Sequence, residues 1–125
     1  MQESRQASCA CGAVTIAATG EPERINACSC LQCQSRSGSA FSYTAFYPDA
    51  AVTITGEIAM WQTKGFCPIC GCHILNRPET LPGLAGIPVG AFRDPAFARP
   101  DRFFWSQNKH KWVTLPPDLP TIETM

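Results

Sequence analysis

An all-β domain of short, stacked antiparallel sheets tied together by zinc is what this sequence predicts, and three observations carry the prediction. Apolar and polar residues alternate with period two in several short runs, and no long segment carries a helical period. Eleven prolines and nine glycines are spread through 125 residues, which suits many strands and turns. Seven of the eight cysteines fall into three tight clusters: Cys9-Ala-Cys11-Gly12, Cys28-Ser-Cys30-Leu-Gln-Cys33 and Phe66-Cys67-Pro-Ile-Cys70-Gly71. Thiolates so closely spaced can point at one cation from a tight turn, and zinc favours a tetrahedron of sulfurs.

Each element follows from local pattern. In Gly12–Gly20, Val14 and Ile16 point one way and Thr15 the other, a strand ended by Gly20 and Pro22. Arg24–Ala27 is a short strand that delivers the middle cysteine cluster. Leu31–Ser37 suits one helical turn stopped at Gly38. Ala40–Tyr47 is strongly strand-like, and Pro48-Asp49 turns the chain. Ala51–Thr55 and Ile58–Gln62 read as a hairpin around Gly56-Glu57. Gly71–Asn76 leaves the last cluster as a strand, Pro78–Pro82 is a loop, and Gly86–Phe92 and Arg102–Ser106 are the final strands. The Pro-rich tail around Leu115–Pro120 is expected on the surface.

The length fits one domain over residues 1–125, with a core of about residues 5–115 and the Pro-rich tail beyond it. Ten basic residues balance ten acidic ones, and no Lys/Arg run appears, which argues against nucleic-acid binding. Charged residues make up only 16% of the chain, against a usual share of about a quarter. Much of the surface is therefore neutral, which allows a pocket or an interface. The N-terminal residues lack an apolar core of signal-peptide length, and no stretch approaches a membrane span. The expected setting is cytoplasmic and reducing, with the cysteines as thiols or thiolates; the alternative is a secreted domain with four disulfides.

Cys9, Cys11, Cys67 and Cys70 form the strongest metal set. Gly12 and Gly71 follow the second cysteine of each pair and permit the tight turn that aims N–H groups at sulfur. Four thiolates make a closed shell, so the expected role is structural. A rival reading makes Cys67-Pro-Ile-Cys70 a redox pair, but such a pair belongs at a helix N-terminus and here a strand-like run follows. Cys28, Cys30 and Cys33 have no obvious fourth ligand, which leaves one exchangeable position on a second, catalytic or labile zinc. Cys72 is the odd cysteine: a fourth ligand to that site, or a small buried residue.

The three clusters in this order resemble the glutathione-dependent formaldehyde-activating enzyme family, which also includes centromere protein V. The motifs that carry the resemblance are Cys9-x-Cys11-Gly12-x-Val14, the Cys28/Cys30/Cys33 triad with Gly38 after it, and Phe66-Cys67-x-x-Cys70-Gly71. Gly90, Pro100, Lys109, Trp112 and Leu119-Pro120 extend it through the C-terminal half. The resemblance implies the family's folded zinc scaffold, or β-tent. It also implies a structural zinc on Cys9, Cys11, Cys67 and Cys70 and a catalytic zinc on Cys28, Cys30 and Cys33. The implied reaction is that of a carbon–sulfur lyase of the S-(hydroxymethyl)glutathione synthase type. A small thiol such as glutathione would add to formaldehyde or a related carbonyl. A non-enzymatic zinc scaffold that binds a protein partner, and a thiol-based zinc or redox sensor, are the alternatives. The chain departs from the family in carrying Phe103 where a His is frequent, three residues after Pro100.

Glutathione carries two carboxylates, and Arg36, Lys64 and Lys109 are candidate cations for it, although nothing in the sequence places them together. Gln32 and Gln34 flank Cys33 and are candidates to hydrogen-bond sulfur or a ligand. His73 is expected in a core or surface role beside the structural cluster, and His110 in a solvated loop. Phe103, Phe104, Trp105 and Trp112 are expected in the core or a pocket wall.

Overall fold

The computed structural model describes residues 3–124. In chain order its elements are β1 (Ser4–Ser8), β2 (Thr15–Thr19), β3 (Arg24–Cys28), α1 (Leu31–Ser37), β4 (Ser42–Pro48), β5 (Val52–Thr55), β6 (Ala59–Trp61), β7 (Lys64–Phe66), β8 (His73–Asn76), β9 (Leu84–Pro88), β10 (Arg102–Phe104) and β11 (Thr121–Ile122). Short 3-10 turns cover 49–51, 89–92 and 106–108. A three-stranded sheet has the order β1-β2-β5, and an eight-stranded sheet has the order β11-β10-β3-β4-β9-β8-β7-β6. All neighbours are antiparallel except β10, which runs parallel to both β3 and β11. The all-β class and the stacking of antiparallel sheets are as the sequence predicts.

The period of two sorts the large sheet into a core face and an open face. On β3, Ile25 and Ala27 are buried, while Arg24, Asn26 and Cys28 point the other way and stay half-exposed. On β4, Ala45 and Tyr47 enter the core that also takes Val14, Ile16 and Ala18 of the small sheet's side, together with Ile74, Leu75, Ala85 and Ile87. A second small core packs Ala27 and Phe103 against Leu119.

Helix α1 is too short to persist alone. The Cys30 side chain accepts from the Cys33 N–H at its start, and Gly38, at φ 63°, ends it in the left-handed region. Gln34 then anchors it: its Nε2 donates to the carbonyls of Ser29 (2.8 Å) and Asn108 (3.0 Å).

Several expectations need correcting. Residues 51–62 form no hairpin: β5 pairs with β2 in the small sheet, while β6 pairs with β7 at the edge of the large one. Gly56 makes the crossing at φ +102°, where a Cβ would collide with the Ala13 carbonyl. The strand expected over Gly86–Phe92 ends at Pro88, which has no N–H to give to a ladder, and Val89–Phe92 is a 3-10 turn. The Pro-rich tail does not simply lie on the surface: Leu119 is buried, the Pro120 carbonyl accepts from Phe103 N–H (2.9 Å), and β11 extends the large sheet. Strands β1 and β7 were not expected; β1 is polar apart from Ala7, and β7 is only three residues long. No helix among the described residues is long and apolar enough to cross a membrane.

Candidate functional site

Two groups of sulfurs converge. Cys9, Cys11, Cys67 and Cys70 bring their four Sγ atoms within 4.8 Å of one another, and Cys28, Cys30 and Cys33 do the same with three. All eight cysteines are free thiols. In the first group the Cys9–Cys11 and Cys11–Cys67 sulfurs are 3.7 and 3.6 Å apart. Those spacings match the edge of about 3.8 Å expected of a tetrahedron with metal–sulfur bonds of about 2.3 Å. Backbone N–H groups also aim at the sulfurs: Val14 at Cys9 (3.3 Å), and Ile69 and Cys70 at Cys67 (3.4 and 3.5 Å). Such donors favour thiolate. With no metal bound, N–H donors from Cys11 and Cys72 pull the Cys70 thiol down to about 6.

The turns that aim these ligands are those the glycines suggest. Gly12 and Gly71 sit at φ +82° and +76°, a conformation other residues rarely adopt. The Gly71 N–H donates to the Cys67 carbonyl at 2.8 Å, closing the knuckle.

The three-sulfur group is built by the end of β3 and the start of α1. The Cys30 N–H donates to Cys28 Sγ (3.5 Å) and the Cys33 N–H to Cys30 Sγ (3.3 Å). Arg36, one turn further along α1, donates from Nη2 to Cys33 Sγ (3.8 Å). With no metal bound, the hydrogen bond from Cys28 outweighs the burial of Cys33, and with help from Cys30, Ser42 and the Arg36 charge lowers its thiol to about 5. The Cys28 thiol moves the opposite way, raised by Cys33 and by burial.

Among the described residues, this second group opens into a large cavity, of about 1110 Å³, over the open face of the large sheet. Cys28, Cys30 and Cys33 line it, and none of Cys9, Cys11, Cys67 or Cys70 does. Its lining carries four cations, Arg24, Arg36, Lys64 and Arg102, against one carboxylate, Glu79. None of the four is in a salt bridge among the described residues. In a chain whose charges balance, the cavity is thus locally positive.

Of the cations expected from the sequence, Arg36 and Lys64 reach this cavity and Lys109 does not. Gln32 lines it; Gln34 is spent on docking α1, and its Oε1 lies 2.8 Å from His110 Nε2. Cys72 joins neither sulfur group and packs half-buried against the main core. His73 is half-buried; burial, with the charges of Arg36 and Lys64, lowers its pKa, and its Nε2 has no partner among the described residues. Phe103 is buried in the small core, Phe104 and Trp105 form cavity wall, and Trp112, expected inside, is instead 74% exposed.

Arg24, Asn26 and Arg102 are among the cavity residues not singled out from the sequence. A signal existed: Arg24, Asn26 and Cys28 alternate with Ile25 and Ala27, so the face that carries the cysteine also carries two polar side chains.

The family described as glutathione-dependent formaldehyde-activating enzyme matches residues 4–108. Among solved structures, the fold is similar to the crystal structure of a Rhodobacter sphaeroides protein from structural genomics. The TM-score is 0.52 and the identity 19%, over 93% of this chain and 98% of that one. No curated protein matches.

Proposed function

The chain belongs to the glutathione-dependent formaldehyde-activating enzyme family, and from that premise we propose that it joins a small anionic thiol such as glutathione to formaldehyde or a related carbonyl, reversibly, as a carbon–sulfur lyase. The observation that carries this reading is the division between the two sulfur groups: four sulfurs apart from the cavity, three lining its wall beside cations that form no salt bridge among the described residues. The chemistry of the donor sets fits zinc in both places. Cys9, Cys11, Cys67 and Cys70 would hold a structural ion; Cys28, Cys30 and Cys33 would hold a second one with a position open. Bound there, zinc supplies Lewis acidity that favours the thiolate form of an incoming thiol.

The chain's own residues do the rest. The cavity gathers thiol and aldehyde in one place, which is the main help a two-reactant addition needs. Arg36 holds positive charge next to the sulfur site and stabilises the anionic thiolate and the oxyanion that forms from the carbonyl. Lys64 adds a second positive charge in the same cavity. In the addition, the sulfur lone pair forms the carbon–sulfur bond while the carbonyl π pair moves to oxygen. That oxygen takes up a proton from water in the open cavity, and the thiol's proton leaves to solvent. The reverse reaction retraces these transfers. The family description names glutathione and formaldehyde, and four cations without carboxylate partners suit a ligand with two carboxylates.

The test is exchange spectroscopy on the zinc-loaded protein with glutathione and formaldehyde. The reading predicts interconversion of free thiol and hydroxymethyl adduct faster than the uncatalysed rate, and a return to that rate in Cys30→Ser. An unchanged rate with wild-type protein refutes it.

A further inference from the structure

A second cavity, of about 500 Å³, lies beside the first, and the thiol addition makes no use of it. That volume is in the range of small-molecule sites. Gln32, Arg36, Gln62 and Lys64 line both cavities, so the two share a wall. Trp61 and Phe66 line only the smaller one. The pairing of β6 with β7 explains the arrangement. Lys64 stands directly opposite Trp61, and Phe66 opposite Ala59, so Trp61, Lys64 and Phe66 share one face of the pair. The other face turns to the core, where a Cβ on Gly65 would meet Ile58 and Leu75.

Trp61 is 63% exposed, and a lone exposed aromatic would mean little. Its neighbours give it meaning. Lys64 Nζ lies 5.9 Å from the centroid of its ring. Neither Lys64 nor Arg36 is in a salt bridge among the described residues, and no Asp or Glu lines this cavity. Neither Trp61 nor Phe66 packs on another aromatic ring among the described residues. The two are diagonal neighbours across the strand pair, a relation that spaces side chains about 7–8 Å apart. Atoms in optimal contact are about 3.5–4.0 Å apart, so a slot of that width takes one flat ring with a contact on each side.

We propose that this second cavity binds a planar aromatic carboxylate, its ring between Trp61 and Phe66 and its carboxylate on Arg36 and Lys64. A carboxylate suits the guanidinium fork, and the ammonium adds a point charge. An aliphatic acid leaves the slot without its flat ring, and a neutral aromatic leaves both cations without a counter-charge. The proposal goes beyond the thiol–carbonyl reading and does not depend on it, since no cysteine lines this cavity.

Isothermal titration of the zinc-loaded protein with 2-naphthoate tests this. The comparison ligands are 2-naphthalenemethanol (the same rings without charge), cyclohexanecarboxylate (the charge without a flat ring) and adenosine monophosphate (a flat ring carrying phosphate). Naphthoate is expected to bind one per chain, about tenfold or more tighter than each of the others. Trp61→Ala is expected to weaken naphthoate binding about tenfold and to melt as the wild type does, because the side chain is exposed. Trp112→Ala, which removes another exposed tryptophan outside the cavity, is expected to leave the affinity unchanged. Naphthoate binding no tighter than the alcohol or the aliphatic acid overturns the proposal. So does an affinity that Trp61→Ala leaves intact or that both tryptophan variants lower equally. Tighter binding of adenosine monophosphate overturns the carboxylate in favour of a nucleotide. None of these outcomes depends on whether a thiol binds at the sulfur site.

Discussion

Arg36 and Cys33 stand one helical turn apart on α1, with the guanidinium Nη2 3.8 Å from the thiol sulfur. This contact joins the sulfur site to the positive cavity, because Arg36 lines that cavity as well. Its Nε is buried and has no partner among the described residues, so the side chain is held there by packing and by sulfur rather than by a carboxylate.

Replacing Arg36 with Met keeps the aliphatic packing and removes the charge. The glutathione dissociation constant should rise by about tenfold or more, the loss of one charge-assisted hydrogen bond. Thermal stability should change little, because no ion pair is broken. Calorimetry and a melting curve on the same sample check both halves.

The two sulfur groups should respond differently to the same substitution. Cys70→Ser removes one sulfur of the group that brings the knuckle to the N-terminal cysteines; if that group holds the structural ion proposed above, its binding free energy is folding free energy. The variant should show no cooperative melting transition. Cys30→Ser should stay folded, since serine can still cap α1 where Cys30 now accepts from the Cys33 N–H. Equal loss of folding in both variants contradicts a structural and a functional division between the groups.

The convergence of the sulfurs was legible in the sequence. The cysteine spacings identify both sulfur groups because tight turns are local, and Gly12 and Gly71 mark those turns directly. Period two identifies β2, β3 and β4 for the same reason. What failed is nonlocal. Residues 51–62 look like a hairpin locally, yet β5 and β6 join different sheets, because apolar pattern fixes which face is buried but not which neighbour covers it. Lys109 looks as useful a cation as Lys64, yet only Lys64 reaches the cavity. Leu119 sits in a Pro-rich segment that suggests a loose tail, and it is buried because β10 offers Phe103 to pack on.

Gly86 connects packing to the cavity. A Cβ there would lie 2.6 Å from Phe46 Cε1, 2.9 Å from Thr44 Cγ2 and 3.0 Å from the Asn76 carbonyl. Phe46, Thr44 and Asn76 all line the cavity. Gly86→Ala should therefore destabilise the fold by about 1–3 kcal/mol through overpacking. It should also weaken thiol binding, because the displaced side chains move into the cavity. Denaturant unfolding and calorimetry measure the two effects.

Arg99 and Asp118 fasten the C-terminal segment with two hydrogen bonds of 3.0 Å. The hydrogen bonds and the charge of Arg99 hold the Asp118 carboxyl below its ordinary value. A carboxylate lowered on folding stabilises above its unfolded pKa of about 3.9 and loses that contribution as pH falls through the folded value. Asp118→Asn should thus lower the melting temperature slightly at neutral pH, as expected of an exposed pair. The two curves should converge in acid, and a gap that persists there contradicts the assignment.

The central claim is that Cys28, Cys30 and Cys33 hold a metal with a position open to a thiol. Cobalt substitution tests it most directly, because the visible spectrum of cobalt reports the number of sulfur ligands. The account predicts that glutathione changes the spectrum of the cobalt-loaded wild-type protein, and that Cys33→Ser abolishes this change while retaining the four-sulfur signature of the other site. A spectrum indifferent to glutathione, with four sulfurs already at both sites, would contradict it.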